Sequence, residues 1–319
     1  MKQISVEIIH KCPNHCLHCS SFSSPSCKDI ISTDYVCEII DGAKRLGAKI
    51  LSISGGEPFL HEGLVTIVEY AKKQGIAVYI YTSGICWSEI NKSGSLQEDV
   101  LVALKKLNID KIIFDLPAIT ETVYDMFMGT KGHLKYALES IEKTKEMGII
   151  SEIHFVPTKI NIHEIDGLLS FAKEKKIDRV SFLGLVPHGR ARENVFKLYL
   201  SSDETNVLKE KLHSLKSDFV RVGIPLQISD EEYQCYAGCG KLCVRYDGKV
   251  FGCEAFKYIQ LYDDNNTPIE PDSIYNRPID RIYYDSNYLK AERMFIKKHM
   301  SMDGCTDKCP VQRMFRYVG

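Results

Sequence analysis

From residue 4 to residue 185 short β-branched runs alternate with stretches of helical period, and few folds accommodate that order. Residues 4–9, 50–54, 77–82, 111–115, 153–157 and 180–185 read as strands. Val36, Ile39, Ile40, Ala43 and Leu46 recur on one helix face and stop at Gly47; Leu64, Ile67, Val68 and Ala71 do so before Gly75. Residues 99–107, 134–147 and 165–175 supply the remaining helical patterns. Strands joined by helices of this length pair in parallel through right-handed crossovers. Six such units are fewer than a closed eight-stranded barrel requires. The expectation is an α/β fold, either a partial (β/α)6 TIM-like barrel or a doubly wound sheet. Both put chemistry at the C-terminal ends of the strands.

The pattern changes beyond Pro187-His188-Gly189-Arg190. Ser201 and Glu204 form a capping box for a helix carrying Val207, Leu208, Leu212 and Leu215. From Cys235 on, the chain is rich in Gly, Tyr, Asp and Cys with weak periodicity, the composition of a small region whose core is thin without a metal. The expected organisation is a barrel over 1–195, a helical linker over 196–234 and a small cysteine-rich domain over 235–319.

With 41 Lys+Arg against 42 Asp+Glu, the chain lacks the basic excess of a general nucleic-acid binder. No run approaches the ~18 apolar residues of a membrane span, and residues 1–9 are too short and interrupted for a signal peptide. These features lead to an expectation of a cytoplasmic protein. Twelve cysteines are then unusual, since reducing conditions favour metal or redox roles over disulfides. Six precede residue 90, six follow residue 234 and the middle has none, which points to two thiolate-rich sites.

Directly after the first strand stands Cys12-Pro-Asn-His-Cys16-Leu-His-Cys19. Three thiolates on one tight loop suit three corners of a [4Fe–4S] cluster. No fourth cysteine follows at ferredoxin spacing, so one iron would keep an open position, as catalytic metals do. The competing readings are a zinc site completed by His15 or His18 and unrelated buried thiols.

Cys12, Cys16 and Cys19 after strand one, with Gly55-Gly56-Glu57-Pro58 after strand two, resemble the radical S-adenosylmethionine (radical SAM) superfamily over residues 4–190. The resemblance implies a six-stranded partial barrel and a [4Fe–4S] cluster whose open iron chelates SAM. It also implies reductive cleavage of SAM to a 5′-deoxyadenosyl radical that abstracts hydrogen from a substrate, with a low-potential electron donor such as flavodoxin or ferredoxin. Gly55 and Gly56 would let the backbone approach the methionine group of SAM. Pro58 would set the turn, and Glu57 would brace it or touch ligand. Ser83, within Thr82-Ser83-Gly84, occupies the place of the family's Asn. Asp115 and Asn161 resemble polar positions on the SAM or substrate side, against the alternative that each merely caps a helix. The 187–191 turn resembles a segment that meets adenine.

The second cysteine group runs Cys235, Cys239, Cys243 and Cys253, then Cys305 and Cys309. Twelve residues separate Cys235 from Gly248 and four separate Gly248 from Cys253, while Asp247-Gly248 signals a hairpin that folds Cys253 back towards Cys235. This is similar to the auxiliary-cluster extension called SPASM, or its shorter form, twitch. By that resemblance Cys235, Cys253, Cys305 and Cys309 would hold one auxiliary [4Fe–4S] cluster; a structural zinc knuckle is the alternative. Cys239 and Cys243 remain as extra ligands, hydrogen donors to a substrate radical, or inert buried thiols. Cys86 is a third donor candidate.

Relatives with such a tail crosslink, thioether-bridge or epimerise ribosomally made peptides, or oxidise and epimerise sugars and aminoglycosides. Peptide modification is the leading expectation. The first strand begins by residue 4, which counts against this expectation because many peptide modifiers carry an N-terminal leader-binding domain; a separate leader-binding protein would supply that role, and some peptide epimerases lack the domain. The rival of another class is a non-catalytic iron–sulfur or zinc binding protein, which has no need of Gly55-Gly56-Glu57-Pro58. A nucleic-acid modifying enzyme is disfavoured by the balanced charge.

Overall fold

The six expected strands form, each with one apolar and one more polar side. A computed structural model describes residues 1–87, 92–228, 235–300 and 309–311. In chain order its barrel elements are β1 (Gln3–Ile9), α1 (Thr33–Arg45), β2 (Ile50–Gly55), α2 (Leu64–Lys73), β3 (Ala77–Thr82), α3 (Glu98–Lys106), β4 (Lys111–Asp115), α4 (Glu121–Met128), α5 (Leu134–Glu146), β5 (Ser151–Phe155), α6 (Ile165–Glu174) and β6 (Arg179–Phe182). Then come α7 (Ser202–Leu215), β7 (Val220–Val222), β8 (Lys241–Val244), β9 (Val250–Phe251), α8 (Ile279–Asp285) and α9 (Asn287–Met300). This is a partial (β/α)6 barrel with a small C-terminal extension, the fold class expected. The periodicity missed α4, an eight-residue helix too short for its buried Tyr124, Phe127 and Met128 to show a period. The Ser201–Glu204 capping box opens α7 as read.

The chain divides into two compact units. One comprises Met1–Lys11, Lys28–Tyr79 and Tyr233–Gly319; the other comprises Cys12–Cys27 and Ile80–Glu232. In the first, β1 is flanked in parallel by β2 and β8, and β9 folds back antiparallel on β8 through Asp247-Gly248. Register puts Ile4, Val6, Ile8, Leu51, Ile53, Leu242 and Val244 on one face and Gln3, Ser5, Glu7, Ser52, Lys241 and Cys243 on the other. The polar face closes on itself. Lys257 Nζ lies 2.5 Å from Glu7 in a buried pair, while Glu254 accepts from Ser5 at 2.7 Å and pairs with Lys241 at 2.7 Å.

In the second unit β4, β5, β6 and β7 follow one another in parallel. Ile112, Phe114, Ile153, Phe155, Val180, Phe182, Val220 and Val222 share the apolar face, and all are buried. Helices α5, α6 and α7 pack on β5, β6 and β7 respectively. The other face presents Lys111, Asp115, Glu152, His154, Ser181 and Arg221.

Two turn glycines separate backbone strain from steric overlap. Gly75 has φ +75° with open space around its missing Cβ, whereas Gly248 has φ +81° and a Cβ there would lie 2.5 Å from the Tyr275 ring. Gly75→Ala is expected to lower stability by about 1 kcal/mol, the cost of a left-handed L-residue. Gly248→Ala is expected to lose measurably more in urea unfolding. Equal losses would show that Tyr275 yields without cost.

Candidate functional site

The cluster loop of the second unit carries Cys12 and Cys16 buried and Cys19 half-buried. It is suspended by its backbone. His15 N donates to Met128 O at 3.0 Å and Leu17 N to Phe127 O at 2.9 Å, both at the end of α4. Arg190 Nε donates to Cys16 O at 2.9 Å, its Nη2 to Ser23 O at 2.6 Å, and its backbone N to Cys19 O at 2.9 Å. Two glycines make these approaches possible. A Cβ on Gly129 (φ +65°) would lie 2.5 Å from His15 O, and one on Gly189 (φ +56°) 2.5 Å from Cys19 O.

The donor chemistry of this loop fits an iron–sulfur cluster. Burial pushes the Cys16 thiol well up, and the charges of Cys12, Cys19 and Asp115 push it further, while Arg190 opposes them. Cys16 therefore resists ionisation, a penalty that coordination to iron would remove. Among the described residues no three His, Cys, Asp or Glu side chains are placed so that they could hold a metal ion. His18 Nε2 sits 3.0 Å from Asp115 Oδ2, its ring tilted on Phe127, and its Nδ1 is buried without a hydrogen-bond partner among the described residues.

Asp115 opens a row of same-face residues. Register places it beside His154, His154 beside Ser181, and Ser181 beside Arg221. One step down, buried Glu152 accepts from Lys111 at 2.6 Å, stands 3.1 Å from His154 Nε2, and is bonded by Ser181. Burial opposes ionisation of Glu152, but the bonds from His154, Lys111 and Ser181 outweigh it and hold the carboxyl far below its usual range. Burial lowers His154 in spite of the Glu152 carboxylate. The face therefore offers a neutral imidazole, a fixed carboxylate and cations to a polar molecule.

Gly55, Gly56, Glu57 and Pro58 lie in the first unit. Gly55 has φ +134° and a Cβ there would overlap the Ile9 carbonyl; one on Gly56 would overlap the Lys11 carbonyl. Gly56 N donates to Ile9 O at 2.6 Å and Glu57 N to Lys11 O at 2.9 Å. The glycines thus let this turn lie against the residues that immediately precede Cys12. Glu57 is fully buried and its Oε1 accepts from Phe59 N at 3.4 Å, capping the short turn Pro58–Leu60.

Ser83 accepts from Ile85 N at 3.4 Å, beside Thr82, which accepts from Gly84 N. Asn161 is fully buried. Its Oδ1 accepts from Thr158 N and Oγ, and its Nδ2 donates to Pro117 O and Val156 O, which uses its whole hydrogen-bonding capacity to join two loops.

In the C-terminal extension Cys235, Cys253 and Cys309 pack against one apolar cluster of Ala237, Phe251, Phe256, Ile259, Leu261, Tyr288, Ile296 and Val311. Cys305 lies outside the described residues. The Cys253 thiol is pushed well up by burial and by the charges of Glu254 and Glu292. Cys243, on β8, stands apart from these three: it pairs in register with Ser5 of β1, is fully buried, and burial with the charges of Glu254 and Glu7 pushes its thiol up. Cys239 is exposed. Cys86 is buried on a short strand, Cys86–Trp87. None of the eleven described cysteines is in a disulfide.

Sequence reasoning missed Arg190, Glu152 and His154. Charged residues inside β-branched runs, such as Glu152 beside Ile153, were the available signal for the polar face. Nothing local marks Arg190, whose partners lie 167 and 174 residues away. Among the described residues no helix is long and apolar enough to cross a membrane.

Residues 6–172 match the family described as the radical SAM superfamily. An Fe-coproporphyrin III synthase of Methanosarcina barkeri is 24% identical over 267 residues, 81% of this chain, which spans 62% of that relative's length. Streptococcus suis SuiB bound to its precursor peptide SuiA superimposes with a TM-score of 0.72 at 17% identity, over 92% of this chain and 66% of that one. The structure of anSMEcpe with bound AdoMet and the Cp18Cys peptide gives a TM-score of 0.67 at 14% identity, over 95% and 86%.

Acid should unfold this protein partly through the polar face. The lowered His154 makes the folded state refuse a proton that the unfolded chain accepts below the ordinary 6.5, so stability falls as pH drops through that value. The lowered Glu152 adds a second loss below its ordinary 4.5. Glu152→Gln is expected to cost about 3 kcal/mol at pH 7, where it strips Lys111 of its buried partner, and to flatten the decline below pH 4.5. Urea unfolding at pH 7, 5.5 and 4 checks both; an unchanged slope below 4.5 would clear Glu152 of the effect.

Proposed function

The chain belongs to the radical SAM superfamily, and from that premise we propose that it modifies a ribosomally made peptide, using SAM, a [4Fe–4S] cluster on Cys12, Cys16 and Cys19, and one auxiliary [4Fe–4S] cluster. The observation that carries this reading is the cluster loop itself: three crowded thiols on a backbone held by Arg190 and seated against two glycines. When bound, such a cluster supplies the electron that cleaves SAM to methionine and a 5′-deoxyadenosyl radical, which takes hydrogen from a substrate. Everything else falls to the polypeptide. Arg190 fixes the loop carbonyls and offsets thiolate charge; His18 and Asp115 tie the loop to the strand end. The row of Asp115, His154, Ser181 and Arg221 supplies polar groups for orienting SAM and substrate. Electrons would come from a flavodoxin or ferredoxin, and leader recognition from a separate binding protein.

Support for a peptide substrate comes from the likeness to SuiB and anSMEcpe, whose solved structures contain peptides. Support for the auxiliary cluster is the gathering of Cys235, Cys253 and Cys309 around one apolar cluster, with Cys305 proposed as the fourth ligand. Cys243, fully buried on β8, and Cys239, exposed, are proposed as hydrogen donors or extra ligands. The domain boundaries proposed are 1–195, 196–234 and 235–319. The likeness to Fe-coproporphyrin III synthase favours a second reading, chemistry on a porphyrin.

Anaerobic protein given reductant and SAM is expected to form 5′-deoxyadenosine, and joint replacement of Cys12, Cys16 and Cys19 by Ala to abolish it. Persistence of the product in that variant would end the reading. Incubation with any short precursor peptide encoded beside the gene, followed by mass spectrometry, separates peptide from porphyrin chemistry. Arg190→Lys cannot reach both the Cys16 and Ser23 carbonyls with one fork, so it is expected to retain less iron after reconstitution. Wild-type iron content would reduce Arg190 to a packing residue.

A further inference from the structure

Between Cys12 and Cys19 the cluster loop is buried or half-buried at every residue except His15, which is exposed. Along the chain, one residue therefore separates the buried Cys16 from the surface. His15 sits on the end of α4: its N donates to Met128 O at 3.0 Å, and a Cβ on the exposed Gly129 would lie 3.3 Å from the His15 Cβ. Met126, one turn before Gly129 and on the same side of the helix, is 54% exposed, although Phe127 and Met128 beside it are fully buried. His15, Met126 and Gly129 thus form a small exposed spot directly over the loop.

Cations collect at this spot. The segments 12–19, 126–136 and 189–193 carry four, Lys131, Lys135, Arg190 and Arg192, against one carboxylate, Glu193. Lys131 and Lys135 are exposed just beyond Gly129, and His133 between them has its Nδ1 3.0 Å from Asn14 Oδ1, which ties this stretch to the loop. Arg192 is exposed two residues beyond Arg190, whose guanidinium holds the Cys16 and Ser23 carbonyls. The charges of Arg190 and Glu193 are both felt at His15. Two neighbouring carboxylates are already engaged: Asp125 accepts from Gly132 N at 3.0 and 3.1 Å, and Glu139 pairs with Lys143 at 2.7 Å.

Electron tunnelling weakens steeply with distance, so a donor protein has to seat where least polypeptide covers the acceptor. We propose that the face centred on His15, Met126 and Gly129 and rimmed by Lys131, Lys135 and Arg192 is the docking surface for a small acidic one-electron carrier. The proposal rests on the [4Fe–4S] cluster of Cys12, Cys16 and Cys19 described under Proposed function. The reduced carrier loses one electron, the cluster gains it, and no bond forms or breaks. An exposed methionine with a charged rim has the composition of a protein interface. Redox encounters bury little area, below about 1,200 Å², which a patch of a few residues can supply. The rim cations would draw in an acidic partner, raising the association rate more than the affinity.

The test uses the full chain reconstituted anaerobically, with flavodoxin kept reduced by NADPH and its reductase as the carrier. Formation of 5′-deoxyadenosine from SAM is followed with flavodoxin and, separately, with dithionite, a small reductant that needs no docking surface. Lys131→Glu with Lys135→Glu is expected to slow the flavodoxin-driven rate at least about tenfold at low salt and to leave the dithionite-driven rate unchanged. Lys106→Glu with Lys173→Glu, exposed positions on α3 and α6, makes the same change in net charge and is expected to alter neither rate. Immobilised flavodoxin, a readout independent of turnover, is expected to retain the parent and this control, to release the parent as salt rises, and to bind the Lys131/Lys135 variant weakly. Equal flavodoxin-driven rates or equal binding in parent and Lys131/Lys135 variant overturn the proposal. So does a dithionite-driven rate that falls as far as the flavodoxin-driven one, or a control that falls as far as the variant. A parent that yields 5′-deoxyadenosine with dithionite but not with flavodoxin overturns it too. A parent that yields none with either refutes the radical reading itself, and the docking surface falls with it.

Discussion

Buried carboxylates answered by lysines are the constraint around which both units are organised. Glu7 pairs with Lys257 in the first, and Glu152 with Lys111 in the second. Most parallel strands are buried under apolar side chains on both faces. Here one face anchors helices and the other carries ions that have left water, each of which needs a partner of opposite charge and further hydrogen bonds. Ser181 and His154 complete the set around Glu152, and neighbouring Glu254 is completed by Ser5 and Lys241. Replacing these pairs with leucine would give an ordinary core. Their presence leaves a polar face in each unit, at a cost in stability.

The cluster loop has little regular structure, so its shape is set by bonds made to its backbone. Arg190 is suited to this work because one planar, positively charged guanidinium reaches two carbonyls at once. The same charge opposes the upward push on the Cys16 thiol. Gly129 and Gly189 act as the seats: a methyl group at either would strike a loop carbonyl. The turn at Gly55 and Gly56 meets the chain just ahead of the loop by the same device. Glycine in these motifs therefore serves close backbone packing in addition to any approach to a ligand.

Much of the fold was legible because strand and helix periods are local properties. The runs 77–82 and 111–115 match β3 and β4 residue for residue, and the stop at Gly47 and Gly75 reflects the left-handed φ of a helix terminus. The short α4 escaped because eight residues hold barely two turns. The polar face was visible only as isolated charges in apolar runs, which look like noise until register aligns Asp115, His154, Ser181 and Arg221 across four strands. Asn161, read as a position facing SAM or substrate, spends all its hydrogen bonds on Thr158, Pro117 and Val156.

The cysteine spacing by itself determined that Cys12, Cys16 and Cys19 share one loop, since the five intervening residues cannot carry them far apart; the hydrophobic periods determined the alternating strands and helices behind them. Tertiary structure alone decided what surrounds those sulfurs. Arg190 reaches Cys16 from 174 positions away. Cys243 faces a strand 238 residues earlier in the chain, at Ser5, while Cys235, Cys253 and Cys309 gather on a separate apolar cluster. Glu292 comes to rest against Gly252 only because helix α9 packs there. Periodicity is written into neighbouring residues, whereas burial, charge and the partner of each polar atom depend on which distant segments the core brings together.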